Sequence, residues 1–450
     1  MPETHALRTL DCDGRLLFTT RAVRMFAYGA LSVVLALYLA QLGLSSEQIG
    51  LLITATLVGD AVISLLIAGT ADRVGRKKML LLGAGLMIFA GAVFALTNNI
   101  VFLAAAAIIG TISPSDKEVG PFLSIEQAIL PQTAPDRSRT AIFAWYNLAG
   151  SFATALGALC SGALVGLLQA KGVVPLESYR VVLIGYTLLG VVLALRFLNL
   201  SPQAEVRLAT QAATPPTSGQ RLAGGVAEPA RPGAPAARSG FFGLHRSRGV
   251  VLHLSSLFML DAFAGGLVVQ SLIAYWFHLQ YGVEPALLGV IFFGANILAG
   301  FSALAAARIA ARFGLINTMV WTHIPSNILL ILVPFMPSLP LAIAVLLARF
   351  SISQMDVPTR QSYTMAVVDP DERSAAAGIT TVARTAASSI SPVLSGALIG
   401  MSFLAAPFVL AGGLKIVYDL ALYRSFRAVR PPEEKEDSPH REVTCHESEG

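Results

Sequence analysis

The sequence predicts an all-α polytopic membrane protein: twelve transmembrane helices forming two pseudo-symmetric six-helix bundles. Three observations predict it. Of 450 residues, 54% are hydrophobic and only 13% charged, whereas soluble domains carry roughly 25% charged residues. Apolar windows long enough to cross a hydrocarbon core as helix recur along nearly the whole length. The windows also fall into two groups of six, separated by one polar stretch.

The elements follow in order. Residues 1–15, MPETHALRTLDCDGR, are polar and lack a small-residue cleavage site, so they read as a cytoplasmic tail before an uncleaved first span. Apolar runs begin near Leu16, Ile49, Met79, Ile100, Thr140 and Arg180, giving a first bundle over 16–200. Residues 201–248 contain TPPTSGQRLAGGVAEPARPGAPAARSG. Pro, Gly and Ala with scattered Arg bury too little surface to fold, which predicts a disordered cytoplasmic linker. Runs resume near Val250, Leu287, Leu315, Leu339, Ser374 and Phe403, giving a second bundle over 249–428 and a tail over 429–450.

Basic residues set the orientation. With the N-terminus inside, Arg73, Arg76, Lys77, Lys78, Arg137, Arg139, Arg308, Arg312 and Arg373 all fall in cytoplasmic segments, as do the linker arginines and Arg424, Arg427 and Arg430. The opposite loops hold little beyond Lys171 and Arg180. This asymmetry predicts a multi-pass protein of the cell (inner) membrane with both termini cytoplasmic. It also accounts for the net charge of +5 without nucleic acid. Cys12, Cys160 and Cys445 are scattered, so neither a disulfide framework nor a metal site follows. No phosphate-binding G-x-x-x-x-G-K-[ST] loop and no nucleophile–base spacing appears, so neither ATP hydrolysis nor another enzyme activity is expected, and no cofactor.

The two halves repeat. LSSEQIGLLITATLVGDAVISLLIAGTADRVGRKK aligns with VEPALLGVIFFGANILAGFSALAAARIAARFGLIN, placing Gly50 with Gly289, Arg73 with Arg312 and Gly75 with Gly314. SGAL at 161–164 recurs at 395–398. Such repeats suit alternating access, in which two halves rock about a central site.

Ala68 to Lys78, AGTADRVGRKK, resembles the signature loop of the major facilitator superfamily, G-x-L-A-D-R-x-G-R-K/R. Ala71, Asp72, Arg73, Gly75, Arg76 and Lys77 match it, while Ala68 and Thr70 depart from it. With the spans, repeat and linker included, the resemblance covers the whole chain. It implies a twelve-span transporter and a gating role for Asp72, Arg73, Gly75 and Arg76. In the second copy Ala311 replaces the Asp, which would leave the gate asymmetric. Span four has Ala106 where proton-coupled drug exporters carry an Arg, and span five, NLAGSFATALGALCSGAL, lacks their Pro.

Charges stand at membrane depth. SPSDKEVGPFLSIEQ, residues 113–127, follows thirteen residues ending the apolar run IVFLAAAAIIGTI. Thirteen residues of helix reach only about 20 Å of a core roughly 30 Å thick. The helix is therefore expected to continue through this stretch, bringing Asp116, Lys117 and Glu118 near the midplane. The second half carries Arg349, Asp356 and Arg360 at similar depth. Pro114, Gly120–Pro121 and Pro358 are expected to break or kink these helices, as in the discontinuous helices that line transport sites. A midplane charge costs roughly 2.5–3.5 kcal/mol, so it should face a wet cavity or a partner.

The proton-coupling candidates are therefore Asp116, Glu118, Glu126, Asp261 and Asp356, because a carboxylate in a poorly hydrated cavity can exchange a proton between the two sides. The substrate-binding candidates are Arg24, Lys117, Tyr146, Asn147, Gln270, Arg349, Gln354 and Arg360. Expected pairs are Arg24 with Asp261, Asp60 with Arg384, and Lys415 with Asp419 on a peripheral helix. Arg21 is expected to snorkel to the interface, and Tyr275, Trp276 and His278 to join an aromatic belt. The expected partners are a small-molecule substrate, protons and the lipid bilayer, with the chain a monomer. The reading is a secondary transporter exporting small organic molecules by proton coupling. One alternative is a proton-coupled uptake permease for an anionic solute. The other, of a different class, is a non-transporting receptor or scaffold.

Overall fold

The computed structural model describes residues 10–115, 122–130, 139–201, 246–369 and 372–427. The first half comprises α1 (Cys12–Gln41), α2 (Ser46–Val74), α3 (Arg76–Leu96), α4 (Ile100–Ile109), α5 (Phe122–Ile129), α6 (Arg139–Ala170) and α7 (Pro175–Leu198). The second comprises α8 (Arg248–Gly266), α9 (Gln270–Tyr281), α10 (Pro285–Phe313), α11 (Leu315–Leu332), α12 (Leu339–Phe350), α13 (Asp356–Ala366), α14 (Arg373–Gly400) and α15 (Ala406–Phe426).

Among the described residues, ten helical segments are long and apolar enough to cross a membrane, with α8 and α9 counted together. The other two expected passes are pairs of short helices, α4 with α5 and α12 with α13. Outside the core, Leu66, Phe102, Leu188 and Trp321 are exposed, as suits a surface solvated by lipid.

The expectation of one continuous helix through residues 113–127 is corrected. α4 ends at Gly110, whose backbone is extended, and residues 111–115 are not helical. Ser113 precedes Pro114, which has no N–H to donate and pushes the residue before it out of helical geometry. Backbone groups released by such a break need new partners inside a membrane. Tyr186 Oη donates to Thr111 O at 2.8 Å, and Ser271 Oγ donates to Pro114 O at 2.6 Å. The break between α8 and α9 is supported likewise, by Ser395 Oγ donating to Leu267 O at 2.7 Å.

Two joints and two seams repeat the sequence symmetry. Gly75 between α2 and α3, and Gly314 between α10 and α11, have φ of +113° and +84°, a region that favours glycine. Each donates its N–H back into the preceding helix, to Ala71 O and Ala310 O respectively. α6 packs on α1 of its own half and α10 of the other, while α14 packs on α8 and on α2. At the α2–α14 seam, a Cβ on Gly50 would lie 2.6 Å from Pro392 O and 2.8 Å from Gly396 Cα. At the α6–α10 seam, a Cβ on Gly162 would lie 2.5 Å from Pro285 O and 2.8 Å from Gly289 Cα. The SGAL repeat is therefore a pair of glycine contacts where the halves touch, on the face opposite the Gly75 and Gly314 joints.

The ends of the first and second halves are tied down beside the expected linker. Ser201 donates through its N–H and Oγ to Asp13 of α1, at 3.1 and 2.5 Å. Glu372 accepts the N–H groups of Arg246 and Ser247, both at 2.8 Å.

Candidate functional site

Among the described residues, two buried charge clusters lie in the core, one per half. In the first half, Arg24 of α1 makes a two-pronged pair with Glu126 of α5, at 2.8 and 2.6 Å. Both side chains are fully buried, and Tyr146 of α6 donates its hydroxyl to the same carboxylate. Arg24 also lies over the Phe122 ring at 4.6 Å. Bidentate geometry and the added hydroxyl satisfy a carboxylate that burial would otherwise penalise by several kcal/mol.

In the second half, Asp261 of α8 meets three cations. Lys415 Nζ of α15 lies 2.5 Å from Oδ1, while Arg360 of α13 and Arg384 of α14 reach Oδ2 at 3.0 and 3.2 Å. Arg360 also pairs with Asp356 one turn away at 2.9 Å. Behind them, Asp419 accepts from Asn327 at 3.0 Å and lies 2.8 Å from His323 Nδ1. Phe258 puts its ring beneath the Arg360 and Arg384 guanidinium groups, at 5.6 and 5.9 Å.

The second cluster opens onto a cavity between the halves of ≈ 280 Å³, near the lower end of the ~300–1,000 Å³ usual for small-molecule sites. Leu57 and Ser115 line it from the first half; Asp261, Gln270, Arg349, Gln354, Arg384, Thr385, Ser388 and Lys415 are among its lining in the second. All three interrupted passes reach it at their breaks: Ser115 after α4, Val268 and Val269 between α8 and α9, and Gln354 between α12 and α13. Discontinuous helices at a central cavity are the architecture of transport sites. Gln270 also ties the halves together. Its amide donates to Ser32 Oγ of α1 at 2.7 Å, and it accepts from Asn296 at 3.2 Å.

The structure sorts the predicted residues into groups. Asp261, Gln270, Arg349 and Gln354 line the cavity. Asp356 and Arg360 stand behind Asp261, and Arg24, Glu126 and Tyr146 form the sealed first-half cluster. Asn147 accepts from Arg21 at 3.2 Å. Asp116, Lys117 and Glu118 lie outside the described residues, as does the Asp72 side chain. Of the expected gating loop, Gly75 forms the joint, Arg73 is exposed and Arg76 is buried.

Several expected contacts are corrected. Arg24 pairs with Glu126 and not Asp261, and Arg384 pairs with Asp261 and not Asp60. Neither Asp60 oxygen has a hydrogen-bond partner. Lys415 does not pair with Asp419: α15 packs on α8, so Lys415 turns inward to Asp261. Arg21 is buried rather than snorkelling, with its guanidinium 4.1 Å above the Tyr146 ring. Tyr275 and Trp276 are buried rather than lipid-facing: Tyr275 meets Ser46 of the other half at 3.1 Å, and Trp276 packs on Phe408 at 4.7 Å between ring centres. Sequence reasoning missed Lys415, Ser115, Thr385 and Ser388 as cavity residues. For Lys415 the signal was present, since a cation in an apolar helix requires a buried acid.

The sequence model of one family, described as Major Facilitator Superfamily, matches residues 17–390. An uncharacterized membrane protein of Saccharomyces cerevisiae is 29% identical over 438 residues, covering 95% of this chain and 97% of that one. Among solved structures, a D-xylose–proton symporter superposes with a TM-score of 0.68 at 16% identity, over 91% of this chain and 97% of its own. A bacterial homologue of the human lysosomal transporter Spinster, inward-facing and unoccupied, gives 0.62 at 15% identity, over 92% and 94%. At these identities the structures share the fold alone.

Proposed function

The chain belongs to the Major Facilitator Superfamily and is a multi-pass membrane transporter, not an enzyme; on that premise we propose that it carries a small anionic organic solute, coupled to protons, by rocking its halves about the central cavity. One observation carries this reading. Among the described residues, the cavity wall holds two cations, Arg384 and Lys415, on a single carboxylate, Asp261. A wall with that surplus favours a negative guest and disfavours a cation.

Asp261 is then a resident counter-ion. It holds Lys415 and Arg384 in place while the site is empty, and it remains anchored to Arg360 when a solute carboxylate or phosphate takes them over. Exchange of one anion for another keeps the cations paired throughout, so that no step leaves several buried positive charges without a partner. Gln270, Gln354, Thr385 and Ser388 supply hydrogen bonds to the uncharged part of the solute.

Purified protein in proteoliposomes tests this. Exchange of labelled small carboxylates or organic phosphates is expected, with neutral and cationic analogues of the same size excluded. Lys415→Ala and Arg384→Ala should each raise KM about 10–100-fold, the equivalent of one charge-assisted hydrogen bond of about 1.5–3 kcal/mol. Transport of the neutral analogues in place of the anions would overturn the reading. The sign of the response to an imposed pH gradient separates uptake with a proton from export against one.

A further inference from the structure

We infer that Asp60, in the middle of α2, is the site at which the coupling proton binds, and that in this conformation it carries that proton. The inference rests on the proton-coupled reading above and adds to it the location of the proton, which lies apart from the solute cavity.

Asp60 is 0% exposed, and both its carboxylate oxygens lack a hydrogen-bond partner. It differs in this from every other buried acid among the described residues. Glu126 has Arg24 and Tyr146; Asp261 has three cations; Asp356 has Arg360; Asp419 has His323 and Asn327; Asp13 and Glu372 have Ser201 and backbone N–H groups. An ionised carboxylate with no donor and no cation is the most costly species a protein core can hold. The same side chain with a proton is a neutral, compact acid that the core tolerates.

The groups around Asp60 are suited to reading its charge. Tyr186 of α7 interacts electrostatically with Asp60, and also with Arg24 and Tyr28 of α1. Tyr28 and Tyr186 stack at 6.4 Å between ring centres. α3 beyond Lys78 and α4 throughout carry no charged side chain. α5 contributes Glu126, which Arg24 holds, and α14 contributes Arg384, which Asp261 holds. Arg24, which meets the same Tyr186, is the cation that a rearrangement could offer to a second carboxylate.

Asp60 is also placed against the moving part. Its neighbour Gly59 abuts the last turn of α4, where a Cβ would lie 2.3 Å from Ile108 O. The broken segment begins two residues later at Gly110. Tyr186 grips that segment at Thr111 O, while Ser115 at its other end lines the solute cavity and Pro114 O is bonded to Ser271 of the second half. A rearrangement of residues 110–115 during rocking would admit water to Asp60, let the proton leave to that water, and leave an anion for Arg24. Proton release and cavity opening are thereby tied to one stretch of chain.

Asp60→Asn mimics the protonated acid in shape and charge. In proteoliposomes it is expected to exchange labelled anion at near the wild-type rate but to lose accumulation driven by a pH gradient; accumulation at the wild-type level would overturn the proposal. An infrared measurement on the protein in lipid reads the site without any flux. The carbonyl stretch of a protonated carboxylic acid should be present in the wild type and in Asp60→Glu, and lost in Asp60→Asn; a band unchanged in Asp60→Asn would overturn the proposal. Asp60→Asn should also melt with the wild type, whereas a marked loss of stability would mean that the fold holds the carboxylate instead. Should the wild type move no anion, the cavity reading fails, and the infrared band still decides Asp60.

Discussion

The two buried clusters are built on one plan with the charges exchanged. In the first half the base, Arg24, stands on the first pass and the acid, Glu126, on the fourth. In the second half the acid, Asp261, stands on the first pass and the base, Arg360, on the fourth. The first-half pair is sealed: Arg24, Glu126 and Tyr146 are all buried. The second-half acid gathers cations from three further helices and faces a cavity. The difference teaches that a repeated scaffold can use the same positions once to hold a bundle together and once to bind.

The largest expected effect breaks that contrast from its sealed side. Glu126→Ala strands Arg24 in an apolar core and should cost about 3–5 kcal/mol of stability. Asp261→Ala leaves its cations beside a cavity, where water and solute anions reach them, so it should cost clearly less stability while slowing anion release. Thermal melting of both variants, with exchange rates for the second, checks this. Equal destabilisation by the two would mean that the second cluster is structural as well.

Much of this architecture was legible in the sequence, and the reasons differ by level. The passes, the repeat and the Gly75 joint are local features: apolar length, recurring glycines and a basic turn declare themselves within a short window. Partner choice is not local. Arg24 finds Glu126 across 102 residues and Lys415 finds Asp261 across 154, and depth alone could not separate these pairings from Arg24–Asp261 or Lys415–Asp419. The break at Gly110 was legible in principle, because Ser113–Pro114 opposes helix there. Proline chemistry predicted a break or kink at Pro114, while length arithmetic, which requires one helix to span the core, carried helix across the same residues.

A second prediction sharpens the comparison at the seams where the halves meet. Gly396→Ala would place its Cβ 2.5 Å from Ser46 O, and Gly162→Ala 2.5 Å from Pro285 O. Both contacts are with backbone, which has no rotamer with which to yield. Each variant should force its seam apart and lower transport several-fold, with rates of cysteine labelling at positions near Ser46 rising in step. Gly85→Ala, where nothing lies within 4 Å, is the matched control and should change neither. If the seam variants transport normally, these contacts do not belong to the working cycle.

The smallest effect concerns Gln270, the cavity residue that reaches α1 directly. Through Ser32 it couples the sealed half to the open one by a single neutral hydrogen bond. Ser32→Ala removes that bond, and Gln270 still has Asn296 as a partner, so about 1 kcal/mol is at stake. That is roughly fivefold in the balance between conformations with this contact made and with it broken. The folded bundles themselves should be unaffected, because each is held by its own cluster. The expected result is an unchanged melting temperature with a shift in the distance distribution between spin labels placed on α2 and α14. A lowered melting temperature without that shift would place Ser32 among the groups that hold the first half together, and the link between the two clusters would have to be sought elsewhere.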